Sequence, residues 1–150
     1  MTNPSFRSTV LSRSLTVFAP AKINLVLRIL DRRPDGYHNL WSLMQSVQLK
    51  DELSISLSDK HSSITLQCDD FSLKTDPSNL VYRAAAAVLE HSGRVIGLDL
   101  VLAKRIPMGA GLGGGSSDAA ATIIGLNQLL NLGWSMKKMA HVGQALGSDV

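Results

Sequence analysis

Pro107-Met108-Gly109-Ala110-Gly111-Leu112-Gly113-Gly114-Gly115-Ser116-Ser117-Asp118-Ala119-Ala120 holds five of the chain's 12 glycines within seven residues. Such density carries an entropic penalty of about 0.5–1 kcal/mol per glycine relative to alanine in regular structure. An ordinary connection between strand and helix needs one or two. The surplus suits a backbone that wraps closely around a ligand, its consecutive N–H groups turned inward as an anion nest. The residues that follow have helical periodicity, so first-turn N–H groups and the positive end of the helix dipole would add to that nest. Ser116 and Ser117 can cap this helix, contact phosphate oxygens or reach a Mg²⁺ ion. The plain alternative is a flexible loop with no ligand.

Three known kinds of phosphate loop fit poorly. A Walker A loop needs Lys directly after its last glycine, and Gly115 stands there. Gly109, Gly111 and Gly114 satisfy G-x-G-x-x-G between a strand and a helix, as a dinucleotide site requires. The strand with an acidic ribose ligand expected about 20 residues on is missing, and Asn131-Leu132-Gly133-Trp134 runs into another helix instead. A protein-kinase loop lies between two strands.

Upstream of the loop, Ile96 to Ala103 alternates as a strand. Before it, Leu80, Val81, Ala84, Ala85, Val88 and Leu89 predict a helix from Leu80 to His91, capped by Ser78 or Asn79 and ended by Gly93. Earlier segments read as short strands: Ser14–Ala19, Lys22–Leu30, Leu43–Leu49, Leu53–Leu57 and Ser63–Cys68. Pro20 and the polar run Lys50-Asp51-Glu52 read as breaks, and Arg32-Arg33-Pro34-Asp35-Gly36 as a turn. Alternation at Ile23, Leu25 and Leu27 predicts one buried face. Downstream, Ser116–Leu130 is predicted helical, with Ala120, Ile123, Ile124, Asn127 and Leu130 as its stripe and Gly133 as its stop. A last helix over Ser135–Leu146 is capped by Ser135 and closed by Gly147. Strands, helix, strand, loop and two helices describe an α+β domain with a mixed or antiparallel sheet packed on helices.

The whole chain has 150 residues, 45% of them hydrophobic and 18% charged, with a mean hydropathy of +0.11. That balance excludes disordered, collagen-like and disulfide-scaffold proteins. One cysteine, Cys68, cannot form an internal disulfide. A net charge of +3 suits an anionic small molecule and gives no indication of nucleic acid. No segment has the ~18–20 uninterrupted apolar residues of a membrane span. Residues 1–13, basic and without acids, read as a flexible leader before a domain over 14–150, and the expected location is cytoplasmic. No His/Cys/Asp cluster has the spacing of a structural zinc site.

The glycine loop resembles the ATP-binding loop of the galactokinase–homoserine kinase–mevalonate kinase–phosphomevalonate kinase (GHMP) superfamily. Two further segments narrow the resemblance, Ala19-Pro20-Ala21-Lys22-Ile23-Asn24-Leu25 and Arg33-Pro34-Asp35-Gly36-Tyr37-His38-Asn39-Leu40. They are similar to N-terminal signatures of the 4-diphosphocytidyl-2-C-methyl-D-erythritol kinases. Gly147-Ser148-Asp149-Val150 matches that family's G-A-D-V segment, with Ser148 in place of Ala. The resemblance implies a fold like domain 2 of ribosomal protein S5. It also implies that the chain is an N-terminal portion, with a C-terminal GHMP domain beyond it. The implied reaction moves the γ-phosphoryl of ATP to the 2-hydroxyl of the cytidyl substrate, in methylerythritol phosphate isoprenoid synthesis.

Carried onto this sequence, the resemblance gives Asp149 as catalytic base and Lys22 beside it as the stabilising cation. A positioned carboxylate helps a poorly nucleophilic alcohol, and a cation offsets charge spreading over phosphoryl oxygens. Asn24, Tyr37 and His38 would hold the substrate, the last two near its cytosine. Asn79, Leu80 and Lys104 would lie around the adenine. Pro107, Gly109, Gly111, Leu112, Gly113, Gly114, Gly115, Ser116 and Ser117 would hold the triphosphate, with Mg²⁺ bridging its oxygens and Ser116 within its reach. On residue type alone, Lys22 could equally be an exposed strand lysine, Asn79 a helix cap and Asp149 a solvated carboxylate. Another GHMP small-molecule kinase and a non-catalytic nucleotide-binding chain stay open as alternatives.

Overall fold

Among the described residues, four strands and three helices follow one another as β1 (Ser14–Arg32), β2 (His38–Ser58), β3 (Ile64–Cys68), α1 (Leu80–Ser92), β4 (Gly97–Ala103), α2 (Gly114–Leu129) and α3 (Met136–Gln144). This is a computed structural model, and it describes residues 13–34, 36, 38–147 and 150. The sheet runs in the order β1-β2-β4-β3. β1 and β2 pair antiparallel, as do β2 and β4, while β3 and β4 pair parallel. A parallel pair needs a crossover, and α1 provides it between β3 and β4. The sheet is therefore mixed and the domain α+β. Among the described residues, no helix is long and apolar enough to cross a membrane.

The core joins Leu53 and Ile55 of β2, Leu98, Leu100 and Leu102 of β4, Val81, Ala84, Ala85 and Val88 of α1, and Ala119, Ile123 and Leu126 of α2. α2 lies hard against the sheet because Gly125 has no side chain. A Cβ there would stand 2.7 Å from Ile55 Cδ1 and 3.2 Å from Val17 Cγ1. At its N-terminal end α2 comes close to the residues that follow β4, since a Cβ at Gly114 would stand 3.0 Å from Ile106 Cγ2.

Several elements differ from the pattern-based reading. Pro20 does not break β1, because β1 is an edge strand, where a missing N–H is tolerated. The proline leaves only a register shift between Pro20 and Lys22. Lys50-Asp51-Glu52 does not break β2 either: Asp51 is fully buried, with its acceptors satisfied by Lys104, Arg105 and Ile106. The face predicted as buried at Ile23, Leu25 and Leu27 is exposed, at 38%, 55% and 53%. From Ile23 onward β1 pairs only with β2, as a two-stranded ribbon that no described helix covers. The apolar stripe of α2 holds only in part, with Ile123 and Leu130 buried as read. Ile124 is 47% exposed, whereas Ala119, Thr122, Leu126 and Leu129 are buried, since sheet and α1 cover two sides of the helix. Asn131, at φ 49°, turns the chain after α2, two residues before the expected Gly133. Arg13, placed with the leader, is already tied to the sheet: its carbonyl accepts from Leu57 N at 2.8 Å. The rest of the leader, residues 1–12, lies outside the described residues.

α1 begins and ends as read. Asn79 accepts from Val81 N, and Gly93 takes the left-handed conformation past its end. The turn before β2 closes with Gly36 N donating to Arg33 O at 3.1 Å. Ser135 caps α3, accepting from Lys138 N.

Candidate active site

The glycine loop leaves β4 through Lys104-Arg105-Ile106 and enters α2 at Gly114. Gly109, Gly111 and Gly113 have φ of 70°, 72° and 71°, while Ala110 and Leu112 between them stay at negative φ. That alternation turns successive N–H groups toward one side, the geometry of an anion nest, and residues with a Cβ adopt the positive values at a cost of about 1–2 kcal/mol. Gly113 is the N-cap of α2 and no side chain caps the helix. The first-turn N–H groups thus remain available to a ligand. Ser116 and Ser117 are not caps, because both lie inside the first turn of a helix that starts at Gly114. Ser117 instead ties α2 to β1, its hydroxyl donating to Pro20 O at 2.8 Å.

A cleft of about 480 Å³ lies over this loop. Pro107, Gly109, Gly111, Leu112, Gly113, Gly114, Gly115, Asn79, Leu80 and Lys104 all line it, so most of the expected nucleotide residues are brought together. Asn79 also serves as the cap of α1, and its amide donates to Lys74 O at 2.7 Å, so both ends of its side chain are engaged. Ser72, Leu73, Lys74 and Asp118 also line it, and sequence reasoning placed none of these four in the site.

Lys22 stands at the rim. Its backbone N–H donates to Leu112 O at 2.9 Å, joining β1 to the loop. Its side chain runs past Gly113, where a Cβ would come within 3.1 Å of Lys22 Cγ and 3.3 Å of its Cε. The ammonium donates to Asn24 Oδ1 at 3.3 Å, and the same oxygen accepts from Ser42 Oγ at 3.2 Å. Lys22 and Asn24 therefore share one strand face, with Ser42 of β2 as an unforeseen third member. His38 is not part of this group. It pairs with Arg32 at the far end of the ribbon, ten residues along β1 from Lys22, a contour of about 33 Å. Tyr37 and Asp149, the other expected site residues, lie outside the described residues.

Beneath the loop three buried charges meet. Lys104 Nζ donates to Asp51 Oδ2 at 2.5 Å and to Asp118 Oδ2 at 2.8 Å. Burial opposes the charged form of Asp51, yet hydrogen bonds from Arg105 N, Lys104 Nζ and Ile106 N hold its carboxyl below the usual carboxylate range. Burial likewise opposes the Lys104 ammonium, but Asp118 and Asp51 raise it. Asp118 goes the other way: burial pushes its carboxyl up to about 6, against the pull of Lys104. Its Oδ1 is buried and has no hydrogen-bond partner among the described residues.

This gives a signed pH dependence. Asp118 releases its proton near 6 when folded and near 3.8 when unfolded, so between those values the folded chain holds the extra proton. Stability from this group therefore falls as pH rises through that window. Thermal melts of wild type and Asp118→Asn at pH 4.5 and 7 should show the variant gaining on wild type at the higher pH. A constant difference between the two proteins would place the titration elsewhere.

Residues 79–150 match the family model described as GHMP kinases N terminal domain. A 4-diphosphocytidyl-2-C-methyl-D-erythritol kinase from Geobacter metallireducens is 49% identical over 138 residues, spanning 92% of this chain and 49% of that protein. One from Pseudomonas syringae pv. tomato is 50% identical over 136 residues, spanning 91% of this chain and 48% of its own length. A crystal structure of 4-(cytidine 5'-diphospho)-2C-methyl-D-erythritol kinase superposes with a TM-score of 0.75 at 39% identity, over 91% of this chain and 47% of the other. A homoserine kinase from Cytophaga hutchinsonii follows at 0.71 and 27%, over 96% and 43%. The chain thus spans about half the length of the curated relatives it matches. With the glycine loop, the α2 N-terminus and the mixed sheet in agreement with these likenesses, the chain belongs to the GHMP kinase family, matching the N-terminal portion of its 4-diphosphocytidyl-2-C-methyl-D-erythritol kinases.

Proposed function

We propose that this chain is the ATP-binding N-terminal domain of a kinase that phosphorylates the 2-hydroxyl of 4-diphosphocytidyl-2-C-methyl-D-erythritol, a step of non-mevalonate isoprenoid synthesis in the cytoplasm. The observation that carries the reading is the junction of Lys22 with the glycine loop: the Lys22–Leu112 bond joins the cation to the cleft wall. The cleft volume suits a nucleotide. In this reading the nest and the α2 N-terminus bind the triphosphate, and Asn79, Leu80 and the Lys104 stem border the adenine. Lys22 offsets charge on the transferring oxygens, Asn24 orients the substrate, and Asp149 accepts the hydroxyl proton. His38 and Tyr37 meet the cytosine end. Mg²⁺ supplies charge neutralisation on the phosphate oxygens. Such an ion would be held by the phosphate oxygens of the nucleotide, and Ser116, in the first turn of α2, is the side chain that would reach it.

ADP release with the cytidyl substrate tests this, measured for the present chain and for one extended to the length of its relatives. The extended chain is expected to turn over. Turnover in neither, with ATP still bound, would remove the substrate assignment and leave a nucleotide-binding protein.

A further inference from the structure

The buried charges under the loop do more than neutralise one another. Asp51, in the middle of β2, accepts from Arg105 N at 2.5 Å and Ile106 N at 2.8 Å through Oδ1. Those two N–H groups belong to the stem by which the chain enters the loop. Its Oδ2 takes the Lys104 ammonium, which also holds Asp118 of α2, the stem by which the chain leaves. The ammonium lies under the first residue of α2: a Cβ at Gly114 would be 3.3 Å from Lys104 Nζ. Side chains of Asp51, Lys104 and Asp118 are 0%, 7% and 3% exposed.

We propose that Asp51 and Asp118 are positioning residues for the nucleotide: through the ammonium they share, they clamp both stems of the glycine loop to the sheet at a fixed separation. The proposal rests on the reading of the loop as an ATP site, and neither carboxylate needs to touch the ligand. Seven residues, Pro107–Gly113, lie between the stems, and ordering a free backbone costs about 1–2 kcal/mol per residue. Fixed stems, with Leu112 O held by Lys22 N, remove much of that ordering from the binding step. Net stability is a poor explanation for the triad, because apolar residues of similar volume often replace buried ion groups without loss. What an ionic network provides and an apolar one does not is direction, since each acceptor lone pair fixes a donor on a particular stem.

The test compares wild type, Asp118→Asn, and the charge-free triple variant Asp51→Asn/Lys104→Met/Asp118→Leu, in which the amide introduced at position 51 keeps an acceptor for the stem N–H groups. Amide hydrogen exchange is followed by NMR at Lys22 and Ser117, whose N–H groups donate to Leu112 O and Gly113 O of the loop. Both should exchange about tenfold faster in both variants, while Leu66 of β3 and Val88 of α1 keep their rates. The dissociation constant for MgATP should rise about tenfold alongside. Unchanged rates at Lys22 and Ser117 would overturn the clamp, and so would uniform acceleration across all four sites, which marks a merely structural network. If wild type shows no saturable MgATP binding, the ATP reading fails on its own, and the exchange rates still decide whether the stems are clamped.

Discussion

Replacing Lys22 with methionine is expected to lower kcat for phosphoryl transfer by about 10²–10³-fold, measured in the chain extended to the length of its relatives, with little change in ATP binding. Methionine keeps the apolar stem that lies along Gly113 and removes the charge. The backbone bond from residue 22 to Leu112 O survives, so the loop keeps its anchor. Charge in the transition state spreads over the transferred phosphoryl oxygens, and a cation at the end of the nest acts mainly there rather than on bound ATP. Lys22→Arg should rescue little, because a planar guanidinium cannot replace a compact ammonium beside Gly113 without displacing the loop. Single-turnover kinetics separate binding from transfer. An unchanged kcat would remove Lys22 from the chemistry.

Asp51→Ala is the substitution expected to harm folding most, by about 3–5 kcal/mol. It strips the Lys104 ammonium of one of its two carboxylates and leaves the Arg105 and Ile106 N–H groups without their acceptor. A domain of this size has about 5–15 kcal/mol in total, so the urea midpoint should drop by a large fraction. Asp51→Asn keeps an acceptor for the two stem amides and should lose markedly less. Equal midpoints for the two variants would show that the ion pair alone, without the backbone bonds, carries the effect.

The residues that build the cleft were legible because glycine density and helix signals are local. Five glycines before a helical run specify a nest and a helix N-terminus with little help from tertiary structure, and Asn79 announces its cap by residue type. The triad was not legible as a unit, since its members come from β2, the end of β4 and α2. A partial signal existed: Asp51, Leu53 and Ile55 share one parity, and all three are buried while Lys50 and Glu52 are exposed. Lys50-Asp51-Glu52 looks like a polar break only when the charges are counted together and the alternation is ignored. Ser42 had no comparable signal, because it reaches Asn24 only through a register that contains bulges. The exposed Ile23–Leu27 face shows the converse limit: alternation reports which side chains share a face, and burial depends on whether something packs against it.

That ribbon has a consequence for cooperativity. β1 and β2 are each one continuous strand, yet their two ends have different surroundings, a packed core around Leu53 and Ile55 and open water around Ile29 and Leu40. Among the described residues no helix covers this two-stranded segment, and such a segment is marginal in water, so within this chain it opens by sub-global fluctuation at little expense to the rest of the domain. Rigidity therefore declines along a single pair of strands. The end that carries Lys22 shares the stability of the core, whereas the end that carries His38 adapts its shape independently of it.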